Sequence, residues 1–213
     1  GLGITSRKTL NNDYSYYNSF SIFDSQLNLI DNYNKINLVP FGEFVPAENI
    51  LNKFGLKTIT NNIGSFNKGD NRHIIQLKYG NKKLNFLPLI CYEIIYSGNL
   101  TKNFDFDFIL NISEDGWFGE SIGPKQHFIH SKFRAIENGK YVIRSSNNGM
   151  AAIVNPLGNI EKKIDYGVSS YIDLENIRDL KPTLFSKYGN KIFFILILLY
   201  ILLTFSFNRI KNE

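Results

Sequence analysis

The chain has 213 residues, 43% of them hydrophobic and 20% charged, a length and balance that allow one sizeable core and exclude a disordered chain. Its formal net charge of +5 suits an anionic surface such as phospholipid, but Lys and Arg are scattered and form no basic cluster that would call for nucleic acid. The single cysteine excludes an intrachain disulfide and leaves one free thiol to be explained.

Residues 1–5 carry neither an initiator Met nor the n- and h-regions of a signal peptide, so the sequence reads as a fragment. Residues 17–24 alternate and are rich in aromatics, as a half-buried strand should be, with Asp24 and Ser25, then Asp31 and Asn32, as turn signals. Residues 33–46 contain two prolines and Gly42 and read as a loop, in which packing of Leu38, Val39, Phe41 and Phe44 would hold Lys35. A lysine so held needs a carboxylate, and Glu43 is the candidate; a solvated surface lysine is the ordinary alternative. Residues 47–54 suit a short helix, and 57–72 a polar loop over the site.

Residues 74–77, a turn at 79–81 and residues 83–90 form a hairpin pattern whose second strand ends in Cys91. A strand that stops at a thiol presents it at a sheet edge, where it is either a nucleophile or a buried structural cysteine. A short helix over 94–100 would put Cys91 near a helix N-terminus, which favours thiolate and an oxyanion. Residues 105–111 read as the next strand and 113–119 as the loop after it. There Trp117 and Phe118 lie between two glycines, as walls of an acyl or headgroup pocket or as simple packing.

From 125 to 138, Phe128, Ile129, Phe133 and Ile136 share one helical face, and Gly139 supplies a stop. His127 and His130 stand at i and i+3 on that helix, but a third ligand is lacking, so neither a metal nor any other cofactor is expected. Residues 141–145, 150–154 and 159–164 continue the strand pattern, with a hairpin turn at 155–158 and an edge strand at 169–174. Strands mixed with helices favour an α/β layered sandwich. Residues 192–207 carry no charge; sixteen helical residues span about 24 Å, and extension to 188–210 with Lys191 and Arg209 snorkelling would cross a hydrocarbon core of roughly 30 Å. A buried soluble helix is the alternative.

Lys35, Glu43 and Cys91 are the parts of a nitrilase-type site. Around them, Tyr33 and Lys35 with LVPFGE at 38–43, ICYE at 90–93, SEDGWFG at 113–119 and SSNNG at 145–149 resemble the apolipoprotein N-acyltransferase family. That family is the membrane-bound, lipoprotein-finishing branch of the nitrilase superfamily, and the resemblance runs from about residue 18 to the C-terminus. It implies a nitrilase-like α-β-β-α sandwich, truncated at its N-terminus, over 1–180, a transmembrane helix over 188–210 and a tail at 211–213. It implies catalytic roles for Lys35, Cys91 and Glu43, with Tyr92, Glu93, Trp117 and Phe118 binding or supporting substrate. Glu43 and Glu93 would orient the lysine and the incoming amine, or serve only as structural hydrogen-bond acceptors. The family's general base precedes this chain and no residue here aligns with it, so the fragment alone is expected to be inactive. The implied partners are a phospholipid acyl donor, an apolipoprotein acceptor and the bacterial inner membrane, with a monomeric catalytic domain facing the periplasm and a cytoplasmic tail. A membrane-anchored carbon-nitrogen hydrolase and a non-catalytic membrane-tethered binding domain are the competing readings.

Overall fold

The structure is a computed structural model that describes residues 1–10, 13–47, 65–98 and 100–211, with the side chains of all of these except Leu10, Tyr79 and 208–211. Two sheets form. Strands β1 (Leu2–Leu10), β2 (Asp13–Phe23) and β3 (Leu29–Asn34) make an antiparallel meander in that order. Strands β4 (Ile75–Tyr79), β5 (Lys82–Ile90), β6 (Phe108–Glu114), β7 (Tyr141–Asn147), β8 (Ala151–Val154) and β9 (Ile160–Ile164) make the larger sheet, also in chain order. Only β5, β6 and β7 are mutually parallel, so each step between them needs a crossover. The first crossover starts with a five-residue 3-10 turn, Cys91–Ile95; the second holds the 3-10 turn Gly116–Phe118 and helix α1, Gly123–Asn138.

The end of β5 is buried on both faces, as a central parallel strand should be. Leu87 and Leu89 pack with Ile94, Ile109, Val142 and with Phe128 and Ala135 of α1. The alternate residues Phe86 and Ile90 point the other way, onto Phe20, Ile22 and Tyr33 of the small sheet. The period of two in one strand thus joins two cores, and α1, the large sheet and the small sheet stack as α-β-β. The fold is a layered α/β fold, and the fourth, helical layer of the expected α-β-β-α sandwich does not occur among the described residues.

Several expectations are corrected. Asp31 and Asn32 do not turn the chain but lie inside β3, where Asn32 and Asn34 join Ser19 and Ser21 of β2 in a polar ladder. The turn is made by Asp24, whose carboxylate takes the N–H groups of Gln26 and Asn28. The helix expected over 94–100 is instead the short turn at Cys91–Ile95, and residues 169–174 form no strand. The helix expected at 47–54, from residue 48 on, and the first half of the loop at 57–72 lie outside the described residues.

Helix α1 begins with Pro124 in its first turn and stops at Gly139, whose φ of 63° is left-handed and whose Cβ would stand 2.4 Å from the Leu180 carbonyl oxygen. Its buried face is not the one the apolar spacing predicts. Ile129, Phe133 and Ile136 are exposed, whereas Pro124, His127, Phe128, Ser131, Arg134, Ala135 and Asn138 are buried.

After a segment without regular structure, α2 (Leu184–Tyr188) is capped by the Thr183 hydroxyl, which accepts the Ser186 N–H. Gly189 then interrupts the chain and α3 (Lys191–Lys211) follows, so the last helix starts three residues later than the expected 188. Its apolar side chains from Phe193 to Phe207 are exposed on all sides. Among the described residues no helix is long and apolar enough to cross a membrane, and the expected transmembrane span is not confirmed.

Candidate active site

The site lies where β3 and β5 end. Strand β5 delivers Cys91, which is partly exposed and has φ +49°, a left-handed conformation that costs a residue with a Cβ about 1–3 kcal/mol. Such a turn persists only if its surroundings hold it, and Glu93 is the first holder. Fully buried two residues beyond Cys91, its carboxylate accepts the Ile90 N–H at 2.9 Å and so bridges the turn. It also accepts the Tyr33 hydroxyl (2.8 Å), the N–H groups of Ile36 (3.0 Å) and Asn37 (3.1 Å), and Arg72 Nη2 (2.9 Å). With five donor groups on it and no exposed surface, Glu93 is turned inward as a clamp between the cysteine turn and the loop that carries Lys35. Burial and the Glu93 carboxylate push the Tyr33 phenol up, so it remains a neutral donor.

Lys35 is 1% exposed, and its Nζ donates to Glu43 Oε2 at 2.8 Å. The same oxygen accepts the Val39 N–H, while Oε1 accepts Asn18 Nδ2 at 2.6 Å. The Lys35 main chain is pinned as well, by its N–H to the Asn18 carbonyl and by the Gly69 N–H to its own carbonyl. A buried ammonium without a partner would cost several kcal/mol, so the Glu43 pair is a condition of its burial. Tyr33 and Ile36, on either side of Lys35, share one apolar cluster with Cys91. Packing and the Glu93 clamp therefore bring the two loops together at the same end of the sheets.

Strands β5 and β6 are parallel with Ile90 opposite Ile112, so residues 115–119, which follow β6, leave the sheet at the same edge as Cys91. Trp117 there is 68% exposed, and Phe118 is also exposed, with its ring 5.4 Å from that of His127. Tyr92 is half-buried and meets Tyr96 edge-on at 6.0 Å.

A second network lies beneath the cysteine. His127 on α1 places Nε2 3.2 Å from the Cys91 carbonyl oxygen and Nδ1 2.9 Å from Asp115 Oδ1. Arg144 Nη2 donates to both Asp115 oxygens, at 2.9 and 2.7 Å, and its Nη1 donates to Asn111. Asn111 in turn donates to the Leu89 carbonyl at 3.0 Å. Burial opposes ionisation of Asp115, but the hydrogen bond from His127 and the guanidinium of Arg144 outweigh it and hold the carboxyl well below the usual carboxylate range. Arg134 serves the same turn from its other end, donating to the carbonyls of Ile94, Ile95 and Tyr96. One signal for this network was present: Arg144 and Asn111 interrupt otherwise apolar strands, as buried paired groups do. Among the described residues no group of His, Cys, Asp and Glu is arranged to hold a metal.

An open cavity of about 310 Å³ beside β7–β9, lined by Tyr141, Glu161, Lys162, Asp173 and Arg178 among others, shares no residue with this site. Its polar groups are largely paired with one another, Tyr141 with Glu161 and Lys162 with Glu175, and it holds no nucleophile.

A family model described as carbon-nitrogen hydrolase matches residues 1–179. Curated relatives bear the name apolipoprotein N-acyltransferase. One from Rickettsia prowazekii is 38% identical over 213 residues (99% of this chain, 42% of the relative), and one from Agrobacterium fabrum is 42% identical over 159 residues (74% and 30%). The chain therefore spans less than half the length of these relatives. Among solved structures, Nit3 of Saccharomyces cerevisiae, described as a member of branch 10 of the nitrilase superfamily, matches with TM-score 0.54 at 21% identity. That match covers 79% of this chain and 56% of Nit3. At that identity the likeness supports the fold alone.

Proposed function

The chain belongs to the carbon-nitrogen hydrolase family, and from that premise we propose that it is the thiol-bearing part of an apolipoprotein N-acyltransferase. The observation that carries this reading is the Glu93 clamp, which ties the left-handed Cys91 turn to the loop of the buried Lys35–Glu43 pair. An acidic base from a part of the protein outside these residues takes the Cys91 proton, and the thiolate attacks a phospholipid ester carbonyl. Lys35 and the N–H of Tyr92 stabilise the tetrahedral oxyanion, and lysophospholipid leaves behind a thioester. The free amine of a diacylglyceryl-modified N-terminal cysteine then attacks that thioester, which yields the triacylated lipoprotein and returns the thiol. Glu43 keeps Lys35 charged and aimed; Trp117 and Phe118 wall the acyl site.

The acyl donor implies a bilayer. A helix that is apolar all round must be surrounded by apolar matter, and α3 presents its side chains from Phe193 to Phe207 to nothing within the fold. We place α3 in the inner membrane, with the catalytic domain on the periplasmic side.

Lys35→Met in the full natural protein should slow thioester formation by about 10²- to 10³-fold, the usual effect of losing one oxyanion donor. Single-turnover acylation with a labelled phospholipid measures it, and a parental rate in this variant would remove Lys35 from the mechanism.

A hydrolase reading is kept alive by the family's own description, with water in place of the amine. A chase experiment separates the readings. Full-length protein in membranes is loaded with a labelled phospholipid, washed, and given either buffer or a diacylglyceryl-cysteinyl peptide. Label on Cys91 that leaves only with the peptide marks the transferase. Label lost to water alone marks a hydrolase, and no label marks a non-catalytic binder.

A further inference from the structure

None of the steps above uses the contact between His127 and the main chain of Cys91. We propose that His127, seated by Asp115 and Arg144, is a positioning residue that aims the oxyanion donor; this rests on the reading of Cys91 as the acyl carrier. The Cys91 carbonyl and the Tyr92 N–H belong to one trans peptide unit, so they point in opposite directions. Nε2 of the buried His127 holds that carbonyl inward at 3.2 Å, which turns the Tyr92 N–H outward, away from α1 and towards the side from which an acyl ester arrives.

The seat of the imidazole is closed on every side. Nδ1 lies between Asp115 Oδ1 (2.9 Å) and Arg144 Nη2 (3.2 Å), and the Phe118 ring covers it at 5.4 Å. Ser113 adds a hydroxyl to Asp115 at 2.8 Å. Gly149 is part of this seat, since a Cβ there would stand 2.2 Å from Asp115 Oδ2; only a glycine lets the β7–β8 turn close over the carboxylate. Asn111 Nδ2 also faces the Cys91 carbonyl, but at 3.5 Å, so His127 is the principal holder.

The test uses the full natural protein in membranes with His127→Phe, which keeps a buried ring without a donor, and His127→Gln, which restores an N–H near the Nε2 position. His127→Phe should slow thioester formation by about 10²-fold with the KM for the phospholipid donor unchanged, and His127→Gln should recover about tenfold while unfolding at no higher temperature than the Phe variant. Alkylation of Cys91 by iodoacetamide, which needs no oxyanion donor, should stay within about threefold of the parent in both. Parental acylation by His127→Phe, or equal losses in the two variants, would overturn the positioning role while leaving Cys91 as acyl carrier. Absence of a Cys91 thioester in the parent itself would instead remove the acyl-transfer reading, and this inference with it.

Discussion

Full-length protein carrying Cys91→Ala is expected to form no thioester with a phospholipid donor, while its unfolding midpoint stays close to the parent's. Both halves follow from the geometry. The thiol is half-exposed and its removal empties little buried volume, so the packing loss is small. Alanine keeps the strain of a Cβ at φ +49°, whereas Cys91→Gly relieves it and should be the more stable variant by roughly 1 kcal/mol. The turn is therefore strained for the sake of the residue it presents, as functional positions often are. Cys91→Ser preserves shape and backbone but offers a hydroxyl far harder to ionise than a thiol, and it should also fail to acylate. Intact-mass measurement after incubation with donor decides the matter: an acyl adduct of normal yield on Cys91→Ala would refute the nucleophile assignment.

What could be read of this site beforehand had a chemical reason, and so did what could not. A lysine and a glutamate in one apolar, Pro- and Gly-punctuated loop imply mutual neutralisation, and Lys35 and Glu43 meet at 2.8 Å. Glu93, two residues from the thiol, was expected either to orient the incoming amine or to serve only as a structural hydrogen-bond acceptor, and its position in the sequence does not separate the two. Adjacency in sequence carries no direction, however, and a left-handed residue at 91 lets the chain fold the carboxylate inward onto Tyr33, Ile36 and Asn37. Arg72, its cationic partner, lay in a stretch that reads as a plain polar loop.

The face of α1 fails for a related reason. Apolar spacing locates a buried face only where the helix packs against side chains whose own polar groups are already satisfied. Here α1 also covers the irregular crossover after β5, whose carbonyls have no strand partner and require donors. His127 supplies the Cys91 carbonyl and Arg134 those of Ile94, Ile95 and Tyr96, while Asn138 accepts the Ser186 hydroxyl. The polar residues are therefore inside, and Ile129, Phe133 and Ile136 turn out. By contrast, the hairpin β4–β5 and the turn at 155–158 were legible, because ladder and turn chemistry are local.

Arg144→Met is expected to be the most destabilising single change in this network. Arg144 and Asp115 are both inaccessible to solvent, and removing the guanidinium leaves a carboxylate in the core with Ser113 and His127 as its remaining donors. Breaking such a pair typically costs about 3–5 kcal/mol, which in a chain of this size lowers the unfolding midpoint by roughly 6–20 °C. The pH dependence carries the sign. Because the folded-state pKa of Asp115 is depressed below the ordinary carboxylate value of 3.8, its contribution to stability is fully present above that value and is lost as pH falls through the lower folded one. In Arg144→Met the carboxyl loses the guanidinium, and burial pushes it up. The deficit relative to the parent should therefore be greatest at neutral pH and shrink towards pH 4, where protonation removes the unpaired charge. Adding Asp115→Asn should restore part of the loss at neutral pH, since a neutral amide tolerates the site better than an unpaired carboxylate. Unfolding midpoints of the three proteins at pH 7 and pH 4 test this; a deficit that stays constant across pH would show that the destabilisation comes from lost packing of the arginine stem rather than from the charge it neutralises.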